Sequence, residues 1–178
     1  MDKLFRIHFP IQDNYGTARP PGGLDSVEDL PRAGSVKNWE PLYFNLEEGD
    51  FADYQGNSPV FKMCSVKMKT ILDENKGSED EMQWLRAFVK SEQGEEREYY
   101  IQHFPKFYDT VDWDRCILQK DKSRVIKPVF SRKKIEGKHK IFNYPKSRLA
   151  LVITEDIKKK LQKAKCTGIV FSKVPLVD

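Results

Sequence analysis

The chain is poor in the residues with which small domains usually do chemistry. It has three cysteines, Cys64, Cys116 and Cys166, and three histidines, His8, His103 and His139. No two cysteines lie close in sequence, so no CxxC pair exists to hold a metal or cycle a disulfide. A sparse and odd set reads as reduced and intracellular. Phosphate-binding GxxxxGK[ST] and GxGxxG loops, the HExxH zinc motif and the GxSxG nucleophile elbow are all missing from the sequence. No apolar run approaches the roughly 20 residues that cross a bilayer. The opening MDKLFRIHFPIQDNYG lacks a long apolar stretch and a small-residue cleavage site, so neither a signal peptide nor a membrane span is expected. These absences point to a soluble cytoplasmic protein with no cofactor and no catalytic or metal motif.

What the chain does have is size, charge and aromatic residues. Its 178 residues suit a single domain, 1–178, large enough to bury a core. Charged residues make up 33% and aromatics 12%, which argues against disorder and for an aromatic-rich core inside a charged shell. The net charge of +4 is small but unevenly placed. Between positions 120 and 146 stand Lys120, Lys122, Arg124, Lys127, Arg132, Lys133, Lys134, Lys138, Lys140 and Lys146, opposed only by Asp121 and Glu136. Acidic bias appears instead from Glu47 to Asp53 and from Glu79 to Glu81. Such a run reads first as solvated edges and loops, where lysine discourages strand addition. The alternative is a surface for an acidic partner, protein or nucleic acid. Phe130, Phe142 and Tyr144 lie within the run, and an aromatic–basic mix can bind single-stranded nucleic acid. Their strand-like context, however, is explained by core packing.

In chain order, Leu4 to Ile11 alternates apolar and polar residues as a short strand that Pro10 confines to an edge or an end. From Asn14 to Pro59 the chain holds six of its ten glycines and five of its ten prolines, so long regular elements are not expected there. Trp39, Leu42, Tyr43, Phe44, Phe51 and Tyr54 anchor this segment, with a short strand at Leu42–Leu46. Residues 1–59 are therefore read as an irregular Pro/Gly-rich arm packed on an α+β core of residues 60–178. Ser65 is a candidate N-cap for VKMKTILDENK, with Gly77 as the stop. MQWLRAFVKS and REYYIQHF read as a hairpin across EQGEE. Cys116–Leu118, Val125–Phe130 and Lys140–Phe142 are strand-like, SRKKIEGKHKIF is a further hairpin or a loop, and NYPKS is a turn. Leu149–Ile153 is apolar at consecutive positions, which implies burial on both faces. Thr154 is then a candidate N-cap, Glu155 and Asp156 suit a first turn, Ile157, Leu161 and Ala164 form a narrow stripe, and Gly168 turns the chain into a last strand, Ile169–Val174. The two helical segments line up with each other, each with a hydroxyl cap, an apolar residue three later and a leucine four beyond that. The fold class is α+β: a mostly antiparallel sheet of about six to eight strands, two principal helices near 65–76 and 154–165, and the arm.

Chemistry finds weak footing. Cys64 or Cys116 with His103 and Asp109 would be the constituents of a nucleophilic triad, but no local motif joins them. Asp109, Asp112 and Asp114 lack the glycine and terminal glutamate of a calcium loop and suit a self-capping turn.

One resemblance emerges from the last third. RLALVITEDIKKKLQKAKCTGIVFSKV is similar to the closing signature of an immunity-protein family of bacterial polymorphic toxin systems, formerly a domain of unknown function. Its final part is Thr167, Gly168, Ile169, Val170 and Phe171. CSVKMKTILDENK, REYYIQHFPKFYDTVDWDRC and KIEGKHKIF resemble that family's first helix, tyrosine-rich strand and lysine-to-phenylalanine strand. The likeness spans roughly Val60 to Val174. It implies a small cytoplasmic protein that binds and neutralises a cognate toxin by occlusion, without catalytic residues. It leaves the toxin-binding residues unknown, with the arm from Asn14 to Pro59 as first candidate. Two alternatives stay beside it: a nucleic-acid-binding module using residues 120–146, and a small hydrolase.

Overall fold

The computed structural model describes residues 3–10, 14–23, 30–31 and 33–178, with Arg148 described by its backbone alone. Ile11, the expected end of the first strand, and residues 24–29 and 32 of the expected arm lie outside the described residues. The strands are β1 (Leu4–His8), β2 (Thr17–Arg19), β3 (Leu42–Glu47), β4 (Tyr54–Gln55), β5 (Met63–Ser65), β6 (Gln83–Ser91), β7 (Glu96–His103), β8 (Ile117–Leu118), β9 (Val125–Lys127), β10 (Phe130–Ser131), β11 (Ile141–Tyr144), β12 (Ser147–Thr154), β13 (Val170–Val174) and β14 (Leu176–Val177). The helices are α1 (Val66–Glu74), α2 (Arg132–Ile135) and α3 (Glu155–Lys163). The class is α+β, as the sequence implies. The single sheet is not. The strands divide into a six-stranded sheet ordered β2-β3-β6-β7-β5-β4 and a four-stranded sheet ordered β11-β12-β1-β13, with two short ribbons, β8-β9 and β10-β14.

The division follows from where β1 goes. It inserts between β12 and β13, antiparallel to both, so the closing strands pair with the chain's first strand and not with the β6–β7 hairpin. Alternation along β12 then sends side chains to both faces. Leu151 and Ile153 join Phe5, Ile7, Met68, Leu72, Ile157 and Leu161 on one side. Ala150 and Val152 join Leu4, Phe130, Ile135, Phe142 and Tyr144 on the other. This is the double burial expected of the consecutive apolar run, except at Leu149, which is exposed. The helices fill the space between the sheets: α1 packs on β5 and β7, α3 packs on β12 and β1, and the two helices pack on each other.

The β6–β7 hairpin forms as expected, with Ala87 opposite Tyr99 and Lys90 opposite Glu96. The first 59 residues depart from the irregular arm. They supply β1 to the four-stranded sheet and β2, β3 and β4 to the six-stranded one, and β3 runs parallel to β6. Buried side-chain amides let a breaker-rich chain fold so tightly, because every buried backbone group needs a partner. Gln55 donates to the Gly16 carbonyl at 2.6 Å and accepts from the Ala52 amide at 3.0 Å. Asn57 accepts from the Phe61 amide at 2.7 Å and donates to the Phe61 carbonyl at 2.9 Å. Leu30, Val36, Trp39, Leu42 and Phe51 close over a third cluster built on Phe44, Leu85, Val89 and Ile101.

Three local expectations need correction. The helix expected over 65–76 ends at Glu74 with Asn75 as its cap. Gly77 is instead required by close approach, since a Cβ there would overlap the Lys138 carbonyl oxygen. Thr154 sits at the N-cap of α3, expected over 154–165, but its hydroxyl does not cap the backbone; it donates to the Asp156 carboxylate. SRKKIEGKHKIF is neither hairpin nor plain loop: it holds the short helix α2 before β11. Ser65 does cap α1, accepting from the Met68 amide at 3.2 Å.

Asp53 joins three parts of the fold that are far apart in sequence. Its carboxylate accepts from the Ser65 hydroxyl at 2.6 Å, from the Thr167 amide at 2.9 Å and from the Thr167 hydroxyl at 3.1 Å. The Lys67 ammonium stands 2.8 Å away. The backbone follows the same path: the Asp53 amide donates to the Thr167 hydroxyl at 3.0 Å, and its carbonyl accepts from the Ser65 amide at 2.7 Å. α1 has no acidic residue in its first turn, so Asp53 supplies from another segment the negative charge that a helix N-terminus favours. Burial works against ionisation here, but the bonds from Lys67, Ser65 and Thr167 outweigh it and hold the carboxyl below the ordinary aspartate value. The next residue, Gly168, has φ +70°, and a Cβ there would lie 2.5 Å from the Tyr54 carbonyl oxygen.

Asp53→Ala is expected to destabilise the fold by about 2–3 kcal/mol, the range for charge-assisted bonds whose donors are left unpaired. Urea unfolding measures it. Because the folded-state pKa is depressed, this contribution is complete above the unfolded pKa of about 3.9 and is lost as pH falls through the folded value. The gap between wild type and Asp53→Ala therefore narrows on acidification below about pH 4; a gap constant down to about pH 2 would contradict it. Gly168→Ala combines a left-handed φ with a clash, and it should cost at least about 1 kcal/mol in the same assay.

Candidate partner-binding surface

The hairpin and β3 build one open face. Register places Tyr43 opposite Phe88 and Phe88 opposite Glu98, with Asn45, Lys90 and Glu96 in the next row. Period-2 alternation turns Leu85, Ala87 and Val89 into the core and the residues between them outward. α1 covers only the β5–β7 side of this face, and Tyr43 is 58% exposed. The side chains there are held in place by each other. The Tyr43 and Phe88 rings stack at 5.3 Å. The Arg86 guanidinium lies 4.8 Å from the Phe88 ring and pairs with the Glu98 carboxylate. Tyr100 donates to Glu98 at 3.1 Å, and Lys69 of α1 sits 5.0 Å from the Tyr100 ring. Below them, the Trp39 indole donates to the Arg86 carbonyl at 2.9 Å, fixing the backbone from the opposite face. An exposed tyrosine and arginine restrained against a half-buried phenylalanine have the composition of binding hot spots.

The residues that suggested catalysis are occupied elsewhere. Cys64 is fully buried and burial pushes its thiol well above the usual range, while burial pushes Cys166 up to about 11. Protonated thiols are poor nucleophiles. The Cys116 sulfur accepts from the Val129 amide at 3.3 Å. A ring nitrogen of His103 bonds the Gly34 carbonyl at 2.8 Å. Asp109 accepts from Lys134 and from the Trp113 indole, both at 2.8 Å. Asp112 pairs with Arg115 at 3.6 Å. Burial and nearby Arg6 lower the pKa of His8, which favours its neutral form. The set proposed for a triad is thus dispersed among separate structural partners. Among the described residues, no three His, Cys, Asp or Glu side chains converge as a metal site.

Sequence reasoning did not find the pair Asp80 and His139. The His139 ring bonds one oxygen of the buried Asp80 carboxylate at 2.8 Å. The other oxygen accepts from the Gly77, Lys140 and Ile141 amides at 2.7, 2.9 and 2.8 Å. With its lone pairs committed to the backbone, Asp80 ties the loop after α1 to β11. A cleft of about 340 Å³ beside it is lined by Glu136, His139, Lys140, Thr154, Glu155, Asp156 and Lys159. Lys140 and Asp156 pair across it at 3.0 Å.

The basic run is not one patch. Arg132 pairs with Asp178, Lys134 with Asp109, Lys138 with Glu79 and Lys140 with Asp156. Phe130, Phe142 and Tyr144 are buried in mutual edge-on contacts and present no ring for a base to stack on. What remains outward is Lys133 on α2 and, as a group, the cations of the β8–β9 ribbon with its turn. No helix among the described residues is long and apolar enough to cross a membrane.

Comparison with known proteins gives one finding. A family model described as the immunity protein family Imm11 matches residues 8–175. No curated protein matches the chain.

Proposed function

The chain belongs to the Imm11 immunity protein family, and on that premise we propose that it binds a cognate bacterial toxin in the cytoplasm and neutralises it by occlusion, with no chemistry of its own. The family match over residues 8–175 is the observation that carries this reading. The open face of the six-stranded sheet supports it with a means. Tyr43, Phe88 and Arg86 are ordered before any partner arrives, so little side-chain entropy is lost on docking. The thiols held protonated and the committed carboxylates of Asp80 and Asp109 agree with a binding role. Tyr43 belongs to the segment from Asn14 to Pro59 that the sequence favoured for function, and it acts by pairing that segment to the hairpin.

Co-expression with the toxin encoded beside this gene is expected to restore growth of a sensitive host. If no neighbouring toxin exists, or none is relieved by the chain, the reading is wrong. In calorimetric titrations, Arg86→Glu and Tyr43→Ala should each weaken toxin binding by about 2 kcal/mol, roughly 30-fold. Both side chains are solvent-facing and lose only exposed cross-strand contacts, so stability by urea unfolding should fall by no more than about 1 kcal/mol.

A further inference from the structure

The β8–β9 ribbon is a second surface with a different character. Its inner side is fixed: Val125 is buried, and Leu118, Cys116 and Trp113 pack on the same cluster. Its turn is ordered by local bonds. The Gln119 amide donates to the Arg124 carbonyl at 2.9 Å, the Lys122 amide donates to the Gln119 carbonyl at 2.8 Å, and Ser123 bonds Asp121 through both its amide and its hydroxyl. Lys146 donates to the Lys122 carbonyl from β11–β12. The outer side carries Ile117 at 53% exposure and Ile126 at 63%. Around them stand Lys120, Lys122, Arg124 and Lys127, all exposed. None of the four forms an ion pair among the described residues, whereas Arg132, Lys134, Lys138 and Lys140 of the same run each do.

Unmatched cations around exposed aliphatic side chains, on a ribbon already ordered, are the complement of an acidic surface with an apolar centre. We propose that this ribbon receives an Asp/Glu-rich face of the partner toxin, with Ile117 and Ile126 against its apolar middle. The inference rests on the toxin-binding reading and adds the chemistry of the partner. A nucleic acid fits less well: residues 117–127 contain no aromatic ring to stack on a base, and phosphates offer nothing to the isoleucines. The ribbon also complements the sheet face, where Arg86 is neutralised by Glu98 and Lys90 faces Glu96. That face holds the partner through ordered contacts and sets dissociation, while the ribbon's net charge speeds encounter.

The test measures association and dissociation rates between the full chain and its toxin across a salt series, for wild type and for the variant carrying Lys120→Glu, Lys122→Glu and Arg124→Glu. Circular dichroism confirms that these exposed changes leave the fold intact. The expected result is a wild-type association rate that falls with salt, a variant rate at least about tenfold lower at low salt, and convergence of the two at high salt. Ile126→Ser should raise the dissociation rate with little change in association. If wild type binds toxin but the charge-reversed variant keeps the same association rate and salt dependence, the ribbon inference is overturned and the toxin-binding reading stands. Ribbon-dependent binding to generic duplex DNA or RNA, without such an effect on the toxin, would overturn the choice of a protein partner. If wild type binds no toxin at all, the toxin-binding reading falls, and the ribbon inference with it.

Discussion

The fold closes through Asp53. One carboxylate receives bonds from the N-cap of α1 and from the threonine that begins the last turn, with a lysine of α1 beside it. These groups come from three segments separated by more than a hundred positions at the extreme. A charged acceptor held by several donors is strong when complete and costly when any donor is lost. The same carboxylate thus couples three features of the fold: the cap of α1, the anchoring of the β4 segment and the seating of Gly168. The Gly168 approach to Tyr54 depends on the same neighbourhood, because Tyr54 follows Asp53 and its amide donates to the Thr167 carbonyl at 3.1 Å.

Around that junction, the two sheets are joined by the helical layer rather than by strand pairing. Ile157 and Leu161 of α3 meet Met68 and Leu72 of α1 in a cluster that also takes Leu151 and Ile153 from the four-stranded sheet and Cys64 from the six-stranded one. The β11–β12–β1 part of the four-stranded sheet is thus packed on both faces and serves as an internal wall, while its edge strand β13 is largely exposed. The six-stranded sheet is buried on one face and half covered on the other. This asymmetry is what leaves Tyr43 and Arg86 in solvent with Phe88 half-buried beside them, since α1 is only nine residues long and packs on the sheet chiefly at β5 and β7.

Features with local causes were legible in the sequence. The Ser65 cap, the β6–β7 hairpin, the double burial of Ala150–Ile153 and the Gly168 turn each follow from neighbours within a few positions. Features that depend on distant partners were not. β2 has three residues and β4 has two, too few for a periodic signal, and each exists only by pairing. Pro10 confined β1 to an edge or to an end at that point, and only the pairing decides between them: β1 lies between two partners and stops just before the proline. The candidate site shows the same split. Tyr43 and Phe88 were visible as aromatics, but their stacking requires a parallel pairing between strands 45 positions apart. Asp53 and Asp80 were single acids among 27 acidic residues, and only their buried donors distinguish them. The resemblance in the last third had a physical basis of its own. Thr167 and Gly168 are held to type by the carboxylate they bind and by the backbone they approach.

Seen in three dimensions, the basic run of residues 120–146 illustrates why charge counts along a chain mislead. In its later half, Lys134, Lys140, Lys138 and Arg132 pair with Asp109, Asp156, Glu79 and Asp178, which come from elsewhere in the sequence. Exposed pairs of this kind contribute little stability each, but they remove charge from the surface field. The earlier half, on the ribbon, has no such partners, so it dominates the local potential although the chain as a whole carries only +4. On the proposed reading, a protein that occludes a toxin must hold its target and must also find it quickly. Ordered aromatic and arginine contacts would serve the first requirement, because they raise the cost of separation. Unpaired charge would serve the second, because it acts before contact. Placing the two on separate elements lets each be strong without weakening the other: charge buried among aromatic anchors would pay desolvation, and aromatic rings spread over a charged ribbon would forfeit packing.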